Sequence, residues 1–238
     1  MKIRIKFAKY GAMRFIGHLD VMRYFQKAIR RAGIDIAYSG GFSPHQIMSF
    51  AAPLGVGLIS NGEYMDIEVI SCTSSEDMKD KLNKAMVPGM EILNVTKLED
   101  SVPNAMASVA AAEYIVRFRE GYEPSFDWER QVESFYGQPS IWVVKKTKKS
   151  ELEMDLKPAI YSLKTFSDMT GRACIRMFVD ASSSGNIKPG LVMEAFMKEQ
   201  GDTLSEFALE ITREDTFTNT GTADDPVFIP LDAVGSKF

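Results

Sequence analysis

The chain contains two histidines, His18 and His45, with Asp20 and Tyr38 close by in sequence. Imidazole exchanges protons near neutral pH, so His18 with His45 or Tyr38 is a candidate acid–base set. Two histidines and an aspartate are also metal-ligand types. Their spacing is unlike a compact metal motif, and no metal is expected. Asp20 has a structural role available as well. In the first turn of a helix its carboxylate is favoured by the helix dipole by roughly 0.3–1 kcal/mol, and Arg23 and Tyr24 lie three and four residues on. Cys72 and Cys174 stand alone with no CxxC spacing, which argues against a cysteine-held zinc or iron–sulfur site within the chain. The glycines match neither a P-loop nor a GxGxxG fingerprint, so nucleotide cofactors are not indicated and no cofactor is expected.

Charge gives the next signal. Residues 1–62 carry nine Lys or Arg against Asp20 and Asp35, a net +7, whereas the whole chain sums to −4. That asymmetry points to an anionic partner for the N-terminal segment. Lys2 to Ala8 alternates basic and apolar residues, which predicts a half-buried strand with Lys2, Arg4 and Lys6 on its outer face. A helix is predicted from about His18 to Ala32. Leu19, Met22, Phe25, Ile29 and Ala32 form its buried stripe, and Arg23, Lys27, Arg30 and Arg31 fall opposite. Gly33 ends it. A short strand is expected over 34–39, and from Gly40 to Gly62 no side chain is charged. A stretch of that length is read as a functional loop, with a hairpin extension through 47–50.

The remaining elements position this segment. Residues 63–70 read as a strand, 76–86 as a helix capped by Ser74 or Ser75, and 90–98 as a strand. The polar run 99–111 is a boundary, with a short helix possible over 105–112. A second set follows: strands over 112–119, 140–146, within 152–166, over 172–180 and 206–213, with helices over 125–136 (Ser125 as cap) and 190–199. The expected class is α+β, as two tandem ferredoxin-like (β-α-β-β-α-β) halves with antiparallel sheets. Their expected bounds are 1–99 and 112–215, with a tail 216–238 that Phe228, Ile229 and Leu231 can dock. No apolar run approaches the roughly 20 residues of a spanning helix, and the basic N-terminus alternates rather than opening a signal peptide. A cytoplasmic location without membrane contact is therefore expected.

A basic helix beside an uncharged glycine-rich loop suits phosphates, because free backbone N–H groups and cations converge without acidic repulsion. Arg14, Arg23, Lys27, Arg30, Arg31 and Ser43 are the candidate anion contacts. Phe42 and Phe50 are candidates for stacking bases, though loop aromatics also commonly fold a loop onto its sheet. The cluster Lys145-Lys146-Thr147-Lys148-Lys149 is followed at once by Glu151, Glu153 and Asp155, and reads as a self-neutralising charged hairpin.

Arg14-Phe15-Ile16-Gly17-His18-Leu19-Asp20 and Tyr38-Ser39-Gly40-Gly41-Phe42-Ser43-Pro44-His45 resemble the two signature stretches of the bacterial radical-SAM-linked proteins. Those occur alone or fused C-terminal to a radical S-adenosylmethionine protein. Leu54-Gly55 and Gly62-Glu63-Tyr64 extend the likeness, and Met154-Asp155-Leu156-Lys157-Pro158 resembles a later motif. Gly17 stands where serine is common, which removes a helix cap, and Ser43 stands where asparagine is common. The resemblance implies a stand-alone accessory domain with a radical S-adenosylmethionine protein as possible partner. Combined with the charge pattern, the expectation is an RNA-binding accessory protein for tRNA or rRNA modification. The alternatives are a metal-independent ribonuclease or RNA-modifying enzyme using His18, His45 and Tyr38, and a protein-interaction module. Tandem ferredoxin-like halves also resemble tRNA pseudouridine synthases and CRISPR repeat-processing ribonucleases at the level of fold.

Overall fold

The structure is a computed structural model that describes residues 1–146 and 151–238. Two compact units are present: Met1–Ala110 with Arg213–Phe238, and Ala111–Thr212. Both are α+β, and five helices occur among the described residues.

The first unit starts with β1 (Lys2–Lys9), a 3₁₀ turn (Gly11–Phe15) and α1 (His18–Arg31). It continues with β2 (Asp35–Ile36), β3 (Met48–Phe50), β4 (Ile59–Ser71), α2 (Ser75–Ala85), β5 (Met90–Leu98) and α3 (Ala105–Ser108). Strand β1 lies between β5 and β4, antiparallel to each. Ile3, Ile5 and Phe7 point to one face, where they meet Val21, Phe25 and Ile29 of α1 and Met78 and Leu82 of α2. The Ser74 hydroxyl accepts from the Asp77 amide at 3.1 Å and starts α2. Asn104 caps α3 in the same way.

The expected basic outer face of β1 is a correction. Arg4 is 0% exposed. Its Nε and Nη2 donate to the two carboxylate oxygens of Asp66 at 2.8 and 2.9 Å, and Nη1 donates to the Leu231 carbonyl at 3.0 Å. Lys6 pairs with Asp215 at 2.6 Å. Lys9 is buried with Glu63 and Arg213, which pair with each other. Burial pushes the Lys9 ammonium pKa down, while Glu63 acts to raise it. The acids that neutralise this face come from β4 and from the C-terminal segment, far along the chain. Alternation located the faces of β1 and could not say that both are covered.

The segment from Arg213 onward therefore belongs to the first unit. Leu231 is fully buried with Ala51, Tyr64 and Ala105. The Phe238 carbonyl accepts from the Ser75 amide. The Tyr64 hydroxyl lies 2.6 Å from Asp215 and 3.0 Å from Asp232. Burial, then those two carboxylates, push this phenol far above its usual range. Gly62 is required by contact: a Cβ there would sit 2.4 Å from the Asp215 Cα.

The second unit contains β6 (Ala111–Phe118), α4 (Trp128–Tyr136), β7 (Trp142–Lys146), β8 (Glu151–Asp155), β9 (Ile160–Ser167), β10 (Ala173–Asp180) and α5 (Pro189–Glu199). Strand β11 (Leu209–Asn219) begins in this unit and ends in the first, where it pairs with β12 (Phe228–Pro230). Strand β10 lies between β6 and β9, antiparallel to both. Val132 and Phe135 of α4 and Val192 and Phe196 of α5 cover this sheet.

Two expectations change here. Residues 142–146 do not enter the main sheet but pair with β8 as a separate hairpin, so β9 is the neighbour of β10. Helix α4 begins at Trp128, capped by Asp127 rather than Ser125. Of the lysine cluster, residues 147–149 lie outside the described residues.

Candidate nucleic-acid interface

Helix α1 is amphipathic because its apolar residues recur every three or four positions. Val21, Phe25, Ala28 and Ile29 are buried, and the Phe25 ring lies 4.7 Å from Phe7. The expected stripe differs from this one in the first turn: Leu19 is 61% exposed. Arg23, Lys27 and Arg30 are exposed on the opposite side. From Arg23 to Arg30 the helix rises about 10 Å, which sets three cations in a row. Asp20 is the one acid on this helix, and its carboxylate lies 3.6 Å from Arg23. Both side chains are about two-thirds exposed (68% and 65%), so the pair stabilises little. Arg31 is held differently. It donates to the Ala85 carbonyl at 2.9 Å and lies over the Tyr24 ring.

The uncharged stretch divides into two parts. The first is a hairpin that buds out of the sheet edge. Strands β2 and β3 pair with successive parts of β4, and the chain between them leaves and returns at one point. There, Ala37 donates to the Glu68 carbonyl and Glu68 to the Ile47 carbonyl, at 2.8 and 3.2 Å. Tyr38 pairs with Gln46 across the neck. Above them the Ser39 amide donates to the His45 carbonyl at 2.8 Å, and the His45 amide donates to Ser39 Oγ at 3.1 Å. Ser39 Oγ also lies 2.9 Å from His45 Nδ1. Gly41, at φ +95°, makes the tip turn that a side chain would strain. Phe42 beside it is fully exposed, and Ser43 and His45 are exposed as well.

This hairpin docks against the middle of α1. Gln46 is buried, and its Nε2 donates to the Gln26 carbonyl at 3.3 Å and approaches the Tyr38 hydroxyl at 3.5 Å. Its Oε1 has no partner. Gln26 sits between Arg23, Lys27 and Arg30 in sequence, so the exposed rings of Tyr38 and Phe42 are carried by a hairpin seated beside the basic row.

The second part of the stretch reaches the start of α1. Phe50 packs edge-on to the His18 ring at 5.3 Å, and the Gly57 amide donates to the Arg14 carbonyl at 2.8 Å. The Arg14 guanidinium lies 4.8 Å from the Phe15 ring, and its Nε has no partner. Gly17 provides no side-chain cap. His18 is thus placed with Phe50, and His45 with Ser39 on the hairpin. Among the described residues no hydrogen bond joins His18, His45, Tyr38 or Asp20, and no three metal-ligating side chains gather.

Other residues of the signature stretches have structural work. Leu54 is buried, Gly62 makes the close approach to β11, Glu63 pairs with Arg213, and Tyr64 meets two carboxylates. Sequence reasoning missed Gln46, which joins hairpin to helix. Its position inside an uncharged stretch was the one available signal. Burial raises the thiol pKa of both Cys72 and Cys174, which keeps them protonated.

No helix among the described residues is long and apolar enough to cross a membrane. None of the curated proteins matches the chain. Among solved structures it is similar in fold to a chain of the crystal structure of a Cbf5-Nop10-Gar1 complex, with a TM-score of 0.50 and 10% identity. The match covers 90% of this chain and 48% of that one, so the chain spans about half of that neighbour's length. A family model matches residues 2–189, and the chain accordingly belongs to DUF2344, a family described as an uncharacterized protein conserved in bacteria.

Proposed function

We propose that this protein is a cytoplasmic RNA-binding accessory protein that holds tRNA or rRNA for a modifying enzyme. The observation that carries the reading is the contact of Gln46 with Gln26. It sets exposed aromatic rings beside Arg23, Lys27 and Arg30 on a surface whose only nearby helix acid is Asp20. Cations neutralise phosphates and release counterions, while rings offer faces to bases. Arg31 and Arg14 extend the positive surface at the two ends of α1, and Ser43 adds an exposed hydroxyl at the hairpin tip.

Both units are read as ferredoxin-like halves. Supporting this are the order β5-β1-β4 with β2 and β3 on the far edge of β4 in the first unit, and β11-β6-β10-β9 in the second. The partner enzyme proposed is a radical S-adenosylmethionine protein, on the resemblance of the 14–20 and 38–45 stretches. Nuclease-resistant co-purification of such an enzyme is the check. A hydrolytic role for His18, His45 and Tyr38 requires the imidazoles to share one cleft. Their separate contacts with Phe50 and Ser39 favour binding over catalysis.

The deciding experiment is electrophoretic mobility shift of transcribed tRNA over a salt series. Affinity should fall steeply with salt, and Arg23→Glu/Lys27→Glu/Arg30→Glu should weaken it steeply. Salt-independent binding, or none at low salt, overturns the reading.

A further inference from the structure

We infer that the RNA taken by this surface is single-stranded where it meets the hairpin, with an unpaired base stacked on Phe42. This rests on the RNA reading above and narrows it to one class of substrate. A phenyl ring held wholly in water at the end of a braced hairpin gains nothing from its own fold. Three contacts between Ser39 and His45 fix the neck below it, and Pro44 restricts the return strand. The ring is therefore presented rather than left on a loose loop.

Its surroundings leave both faces open. The Phe42 ring is exposed over its whole surface, and the two positions before it are glycines with no side chain to cover it. The tip contains no carboxylate to repel phosphate, since residues 36–62 include neither Asp nor Glu. A base in a duplex has its faces covered by its neighbours and offers only edges in a groove. An unpaired base offers a face of the size Phe42 presents. Stacking of this kind tolerates any base, so the inference concerns strandedness and not sequence. The basic row on α1, reached through Gln46 and Gln26, then takes the phosphates that flank the stacked nucleotide.

The test compares two fluorescein-labelled RNAs by polarisation at low salt: an unstructured 12-mer and a blunt 12-base-pair duplex. The wild-type protein should bind the single strand more tightly. Phe42→Ala should weaken the single strand by roughly 5- to 150-fold, the scale of one base–aromatic stack, leave the duplex unchanged, and leave the thermal midpoint unchanged because the ring is exposed. Phe42→Trp should restore binding. If Phe42→Ala binds the 12-mer as wild type does, while the triple charge reversal still loses it, the stacking inference is wrong and the RNA reading stands. If the wild-type protein binds neither RNA, both fall.

Discussion

Strand β1 and helix α1 carry the same kind of residue to opposite ends. In β1, Arg4, Lys6 and Lys9 lie under cover and meet Asp66, Asp215 and Glu63. In α1, Arg23, Lys27 and Arg30 face solvent, and the one carboxylate among them, Asp20, forms an exposed pair with Arg23. A buried cation left without a partner destabilises the fold by several kcal/mol, or, if it is a lysine, is driven toward its neutral form. A cation on an open helix face costs nothing to keep and remains available to a ligand. Net charge along the sequence counts both alike, so the +7 of residues 1–62 overstates the free positive surface.

Substitutions that treat the two sets alike should separate them. Arg4→Ala removes one partner of a buried bidentate pair and leaves the Asp66 carboxylate without its cation, held by the Ala105 amide alone, which should destabilise by about 3–5 kcal/mol. Urea denaturation measures it, and a loss under about 1 kcal/mol would mean that the β1 face is wetter than its contacts imply. Gly62→Ala forces a Cβ into the backbone of Asp215 and should cost about 1–3 kcal/mol by overpacking, loosening the strand that supplies the acid for Lys6. The charge reversal at Arg23, Lys27 and Arg30 should move stability by no more than about 0.5 kcal/mol per site. It should also lower the slope of log K against log salt by about 2 for three lost single-strand phosphate contacts. Unchanged affinity would make the helix row merely solvated. Asp20→Asn gives the smallest effect. Helix α1 should lose roughly 0.3–1 kcal/mol of dipole stabilisation, and RNA affinity should rise about two- to fivefold, since one charge at a few ångströms in water is worth roughly 1 kcal/mol.

Local pattern found the elements of the first unit, because alternation in 2–8 and three-four spacing in 18–32 are both strong. It placed Phe25 and Ile29 on the buried side of α1 but took Leu19 for Val21 in the first turn, since Leu19 is as apolar as Val21 and only the neighbouring packing decides between them. It located the hairpin stretch from its lack of charge, without the means to see where that stretch would divide. Phe50 goes under His18 while Tyr38 goes with Gln46, and these are choices of tertiary contact. The coverage of β1 was out of reach for a related reason. Its partners Asp215 and Leu231 lie more than 200 residues away in sequence. In the second unit the hairpin of β7 and β8 resembled a sheet strand in pattern, because a two-stranded ribbon packed on one side alternates just as a sheet strand does.

The interruption between β2 and β3 has a consequence for how this protein behaves in a crowded solution. A long, flat outer strand offers its unpaired amides and carbonyls to any other extended chain, and such edges seed association between molecules. Here the strand along β4 is cut into pieces of two and three residues, and the budding hairpin stands at the break as an obstacle to an incoming strand. Deleting residues 38–46 and rejoining Ala37 to Ile47 would leave a continuous edge. The shortened protein should form concentration-dependent aggregates, visible by light scattering, at concentrations where the full chain stays dispersed.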